Sequence, residues 1–249
     1  MSQLSSAAEA MAAIVGGISS DQLTAPTPCA EYDVRGLVHH LLFWGPSLEG
    51  AGRKENVPPP APAESDVDLT SGDWRGDLLA QLTRTAWSWA PASSWEGTTY
   101  MGRPIELPAS LVGDMILGQL VVHCWDLARA TGQRLDLDED LLTYVHGAIA
   151  PGVEQGREMG MYGPEVPMPA DAPTLERILG LTGRDPAWAV PVPQFLRLLA
   201  DPRRPLEVDG APHTIATRPD DTRVVMWQPA AAPVPRTASG PSSSGEGCG

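Results

Sequence analysis

Apolar residues recur at helical spacing along most of the first 190 positions, and this period predicts a helical protein. Residues 5–20 form an Ala-rich amphipathic segment with Met11, Ile14, Val15 and Ile18 on one stripe. A second helix is expected from Asp33, a residue suited to N-capping, through Val34, Leu37, Val38, Leu41 and Leu42 to about Trp44. Asp73 should cap a third helix carrying Leu78, Leu79, Leu82, Ala86 and Trp89. The fourth is the longest and most apolar, with Pro108 in its first turn and Gly132 as its stop. A fifth runs from about Asp138 to Ala150, and a short one covers Thr174–Gly183.

Between these helices the pattern breaks. Residues 52–72 are rich in Pro and Asp and form a loop long enough to demand a function or to be disordered. Trp95–Pro108 is expected to be extended, as a small hairpin or crossing loop, and 151–173 is a Pro/Gly-rich connection. With four principal helices and no run of alternating strands before residue 190, the fold class is all-α, a four-helix bundle. After Trp188 a helical turn at Phe195–Leu199 and short strands at Pro205–Val208, Thr214–Thr217 and Thr222–Trp227 suggest a small β-containing appendage. From Gln228 the Pro/Ala and then Gly/Ser tail should be disordered. The expected division is therefore 1–188 bundle, 189–227 appendage and 228–249 tail.

Composition narrows the partners. Seventeen basic against 31 acidic residues give a formal charge of −14, which argues against nucleic acid or an anionic membrane. No apolar run is expected to reach the roughly 20 residues of a membrane span, and the N-terminus lacks the pattern of a secretory signal. A cytoplasmic protein acting on a small molecule is the expectation. Lys54 is the sole lysine, which with abundant Ala, Gly and Pro suggests a GC-rich genome. Cys29, Cys124 and Cys248 form no disulfide framework and no metal knuckle, so reduced thiols are expected.

Candidate chemistry concentrates on two helices. His40 shares a face with Leu37 and Gly36, while Gln119, His123 and Asp126 lie at i, i+4 and i+7 and project together. If the bundle sets these faces side by side, two imidazoles and an oxygen ligand meet, a set suited to a divalent ion. The plainer alternative is a pair of hydrogen-bonded core histidines. His39 points about 100° away from His40 round the helix; His146 and His213 have no ligand-spaced partner. Cys29 could place a thiol near the site but needs a base to act as a nucleophile. No GxSxG, Walker loop, GxGxxG or HExxH occurs.

Three ordered blocks then resemble one family. Thr27-Pro28-Cys29-Ala30-Glu31-Tyr32-Asp33-Val34-Arg35-Gly36-Leu37-Val38-His39-His40-Leu41 is similar to TPCxxWxVxxLxxHL, with Tyr32 in place of the tryptophan. Val121-Val122-His123-Cys124-Trp125-Asp126-Leu127-Ala128-Arg129-Ala130-Thr131-Gly132 is similar to VVHGWDLARATG, and Tyr162-Gly163-Pro164 to Trp188 resembles a third, C-terminal block. These are signatures of the DinB-like, mycothiol-dependent maleylpyruvate isomerase N-terminal superfamily, in its actinobacterial metal-binding subfamily.

The resemblance implies a divalent metal, zinc or nickel, at one end of the bundle core, held by His40, Gln119 and His123. Gln119 departs from an acidic residue, and a neutral amide is the weaker ligand. Asp126 is implied as a supporting or substitute ligand, and a catalytic role is assigned to His40, His123 and Asp126. Arg129 would receive an anionic substrate or thiol cofactor, unless it only caps the helix dipole. The implied function is a metal-dependent, mycothiol-linked S-transferase or isomerase acting on an electrophilic small molecule. Two alternatives stay open: a metal-independent enzyme of secondary metabolism (cyclase or isomerase) using the bundle cavity, and a non-catalytic small-molecule binding or resistance protein. A homodimer is compatible with either.

Overall fold

The computed structural model describes residues 3–190 and, in addition, the backbone of three strands within 206–227. The chain divides into two compact units, 1–191 and 192–249. The helical turn expected at Phe195–Leu199 and the tail from Gln228 lie outside the described residues.

The first unit is built on four helices: α1 (Gln3–Gly17), α2 (Val34–Gly52), α3 (Trp74–Ser88) and α4 (Ala109–Thr131). Both α1 and α2 pack on α3 and on α4, which closes the bundle. Leu4, Met11, Leu37, Leu78, Ile116, Leu117 and Leu127 are fully buried where the helices meet. Outside this core, α5 (Glu139–Ile149) packs on α4 and on α7 (Thr174–Leu181). Asp33 caps α2 by accepting from the Gly36 N–H at 2.7 Å, and Asp73 does the same for α3 through Gly76 at 3.1 Å. Pro108 proves to be the N-cap of α4 rather than part of its first turn, and Gly132 ends that helix in the left-handed region at φ 68°.

Three further expectations about the helices need correction. Helix α2 does not stop near Trp44 but runs through Pro46 to Gly52. Ser47, Leu48, Ala51 and Gly52 are buried along the extra turns, and this packing outweighs the hydrogen bond that Pro46 forfeits. The 151–173 connection contains a helical piece, α6 (Val153–Glu158), with Val153 and Gly156 buried. Helix α4 is, by length and composition, long and apolar enough to cross a membrane, although 72% of its apolar window is buried inside the bundle.

A two-stranded hairpin, β1 (Thr98–Thr99) with β2 (Leu107–Pro108), precedes α4 and is anchored by Thr99 Oγ1 donating to the Ala51 carbonyl at 2.6 Å. In the second unit β3 (Leu206–Val208), β4 (Ala211–Thr217) and β5 (Arg223–Trp227) form an antiparallel sheet in that order. Strand β4 starts three residues earlier than expected because Pro212 pairs with β3 only, beyond the end of the β5 ladder.

The loop between α2 and α3 is ordered rather than free. His39 Nε2 contacts the Val67 carbonyl at 2.8 Å, Arg35 donates to Thr70 Oγ1 at 3.3 Å, and Trp44 Nε1 donates to Glu64 Oε1 at 3.0 Å. These contacts lay the loop back onto the helix that carries His40. At the hairpin end of the bundle, Gly113 of α4 lies against the Trp95 ring, where a Cβ would collide with the indole. Gly113→Ala should therefore lower unfolding stability by about 1–3 kcal/mol, measured by urea titration.

Candidate functional site

The turn before α2 sets the first side chains. Thr27 Oγ1 donates to the Tyr32 carbonyl at 2.7 Å and accepts from the Cys29 N–H at 3.1 Å, which closes the loop on itself. The Val34 N–H then reaches back to the Ala25 carbonyl at 3.0 Å. Tyr32 is thereby held beside the first turns of the helix, its ring 5.1 Å from that of His40.

His40 from α2 and His123 from α4 meet edge to face, with ring centroids 5.6 Å apart and planes at 74°. Gln119, one turn before His123, brings its amide nitrogen to 3.3 Å from His40 Nε2. The three positions expected to come together are thus adjacent. The faces meet because α2 and α4 pack directly on one another.

Each imidazole has a carboxylate at its Nδ1. Glu64 Oε1 lies 2.9 Å from His40 Nδ1, and Asp126 Oδ2 lies 3.0 Å from His123 Nδ1. An unprotonated carboxylate only accepts, so in the neutral rings the proton sits on Nδ1 and the Nε2 lone pair is left available. On His40 that lone pair accepts from the Gln119 amide, which completes a consistent network. Burial lowers the pKa of His40, and the neighbouring His123 lowers it further, against the opposing pull of Glu64.

Glu64 was missed by sequence reasoning. It sits on a single 3₁₀ turn, Glu64–Asp66, in the long loop, and it also accepts from Trp44 Nε1 at 3.0 Å and from the Tyr32 hydroxyl at 3.4 Å. Nothing in the period of the sequence marks a loop carboxylate as a partner of a helix residue 24 positions earlier.

Asp126 stands elsewhere than expected. It is fully buried on the Nδ1 side of His123, and Arg184 engages both its oxygens, at 3.2 Å to Oδ2 and 3.5 Å to Oδ1. It is therefore occupied behind the ring and does not share the space in front of Nε2, which removes it as a substitute ligand. Arg184 is the second residue that sequence reasoning missed. It follows α7 in a Schellman turn: its N–H bonds the Leu179 carbonyl at 2.8 Å and the Gly183 N–H bonds the Gly180 carbonyl at 3.1 Å. Gly183 has φ 80°, and a Cβ there would come within 2.6 Å of Gly163 Cα, so only glycine allows this turn to aim Arg184 inward.

Arg129 is exposed, bonded to the Trp188 carbonyl and lying 5.9 Å over the Trp125 ring. Among the described residues it makes no hydrogen bond to His40, Gln119 or His123, and its engagement is with the segment that follows Arg184. The Cys29 thiol feels the fields of Arg184, Asp126 and Glu31, but burial dominates and raises its pKa, so it is held as a thiol rather than an activated thiolate.

As a donor set for a metal, the centre offers two imidazole nitrogens and, with the amide turned end for end, one amide oxygen. No group of three His, Cys, Asp or Glu side chains among the described residues could hold an ion. The two Nδ1 carboxylates are nevertheless the partners that orient ligating histidines. The set fits a divalent ion weakly.

Residues 4–128, half of the chain, match the family described as the mycothiol maleylpyruvate isomerase N-terminal domain. The chain belongs to this family. The matched span includes α1 to α3 and most of α4, with His40, Gln119, His123 and Asp126, whereas Arg184 lies beyond it. Uncharacterised proteins from two strains of Mycobacterium tuberculosis (CDC 1551 / Oshkosh and ATCC 25618 / H37Rv) are each 29% identical over 188 residues, covering 72% of this chain and 93% of the relative. A crystal structure of the mycothiol-dependent maleylpyruvate isomerase aligns with a TM-score of 0.47 and 15% identity, over 62% of this chain and 71% of the other.

Two outcomes test this geometry. Arg184→Met leaves the Asp126 charge buried without its partner and should cost about 3–5 kcal/mol in urea unfolding, while Asp126→Leu with Arg184→Met should recover most of it. The lowered pKa of His40 means that its neutral form is favoured on folding. That contribution is present above the unfolded value near 6.5 and lost as pH falls through the folded one. Chelator-treated protein should accordingly lose thermal stability below about pH 6.5, and His40→Gln should flatten this acid limb in a pH series of melting temperatures.

Proposed function

We propose that this protein is a mycothiol-linked isomerase or S-transferase acting on an electrophilic small molecule, with a weakly held divalent ion at His40, His123 and Gln119. The observation that carries the reading is the pair of imidazoles, each fixed by a carboxylate at Nδ1, whose rings meet edge to face between α2 and α4. Membership of the mycothiol maleylpyruvate isomerase N-terminal family supports the thiol.

The chain's own groups can do the proton work. His123 Nε2, with no hydrogen bond to another described side chain, can take the proton of an incoming thiol. Asp126 then steadies the imidazolium through Nδ1, with Arg184 holding the carboxylate in place. Burial lowers the pKa of His40 and so favours its neutral form, whose Nε2 lone pair meets the Gln119 amide. When bound, a divalent ion would favour the thiolate form of a ligating thiol. Tyr32 and Trp44, tied to Glu64, close the loop side of the centre.

The amide at position 119 supports a second reading, a metal-independent enzyme in which the two histidines serve as acid and base. It follows from the donor set, which lacks a third His, Cys, Asp or Glu among the described residues. Metal titration separates the two. In the first reading, wild-type protein takes up about one zinc or nickel ion, Gln119→Glu tightens it by at least ~10-fold because a carboxylate neutralises charge, and His123→Ala loses it. Thiol-dependent turnover that is complete in chelator and indifferent to Gln119→Glu would overturn the metal assignment and leave the second.

A further inference from the structure

A cavity adjoins the imidazole pair through Glu64, which bonds His40. It has a volume of about 570 Å³ and lies between α2, the loop and the hairpin turn, lined among others by Trp44, Pro59, Pro62, Glu64, Gly102 and Arg103. That size is within the range of small-molecule sites. Its wall is rigid, because prolines fix their own backbone and the Trp44 indole is pinned to Glu64.

The polar groups of the cavity are unequal. Glu64 is spent: His40 and Trp44 take one oxygen and Tyr32 the other. Arg103 is exposed and, among the described residues, has no ion-pair partner and no side-chain hydrogen bond. Most other arginines among the described residues are engaged: Arg53 and Arg84 by Glu49, Arg184 by Asp126, Arg35 by Thr70 and Arg129 by Trp188. Gly102, at φ 72°, makes the turn that presents Arg103 at the rim. In a chain of net charge −14, a free guanidinium beside an aromatic and proline wall selects for one anionic group on an apolar body.

We propose that this cavity binds a flat, apolar small molecule carrying a single anionic group, its body against Trp44 and the prolines and its anion at Arg103. The occupant would touch the centre only through Glu64, which bonds His40, and Trp44, which bonds Glu64. The binding site itself does not depend on the mycothiol-linked reading.

The test is calorimetric titration of the full chain with 2-naphthoate and with its uncharged analogue 2-naphthamide. Wild-type protein should bind 2-naphthoate saturably at one site, ~10-fold more tightly than the amide, as a charge-assisted contact would give. Arg103→Gln, a change at an exposed position, should erase that preference and leave amide binding unchanged. Ala61→Trp places an indole in the cavity and should abolish binding of both, with an unaltered circular dichroism spectrum showing that the fold is kept. His123→Ala should bind both probes as wild type does, even if it abolishes thiol-dependent turnover, so failure of the enzymatic reading and failure of this site give different results. The proposal is overturned if wild type shows no saturable binding or if Arg103→Gln keeps the preference. Binding that survives Ala61→Trp, or that is lost in His123→Ala, overturns it as well.

Discussion

The bond between Arg184 and Asp126 is the constraint on which the rest of the site depends. A fully buried carboxylate on α4 is tolerable only because a guanidinium, itself 10% exposed, faces both its oxygens. The carboxylate can then hold the Nδ1 proton of His123 and point Nε2 forward. The guanidinium can reach it only because α7 ends in a turn that needs glycine at 183 and contact with Gly163. One ion pair thus ties the helix that carries chemistry to a segment 58 residues later in the chain, outside the part that matches the family.

The two histidines are held by different means. His123 takes its orientation from the packed interior, through Asp126 and Arg184. His40 takes its orientation from Glu64, a residue of a surface loop whose side chain is 27% exposed. A centre with one wall in the core and the other in a loop has a natural side of entry. The loop side also carries Tyr32, Trp44 and the prolines of the adjoining cavity. A departure such as Gln119 is absorbed here without a buried orphan, because the amide bonds His40 rather than standing alone.

How much of this could be read from the sequence follows from the range of each interaction. Helical period reports contacts within one element, so the placement of Gln119 one turn from His123, and the burial of Leu37 and Leu127, were legible. The meeting of His40 with His123 needed the further assumption of a bundle, which the lengths of the helices supported. Asp126 was correctly placed near His123 but on the wrong side of it, since spacing gives an angle round the helix and not the direction of a short side chain. Glu64 and Arg184 were invisible for another reason. Both come from irregular segments, and their positions are set by caps, turns and loop contacts that leave no repeating mark. The extension of α2 past Trp44 was not legible, because burial of the turns after Pro46 outweighs the local cost of that proline.

The proline content of the loop acquires a meaning from where Glu64 ends up. Pro58, Pro59, Pro60 and Pro62 stand immediately before the turn that carries this carboxylate. Each of them restricts the unfolded chain, so less conformational entropy is given up when the segment is laid against α2. A flexible linker of equal length would reach His40 as easily but would lose more freedom on settling there. The excess of proline that looks like a compositional accident therefore acts in the denatured state, by making a long excursion of chain inexpensive to order.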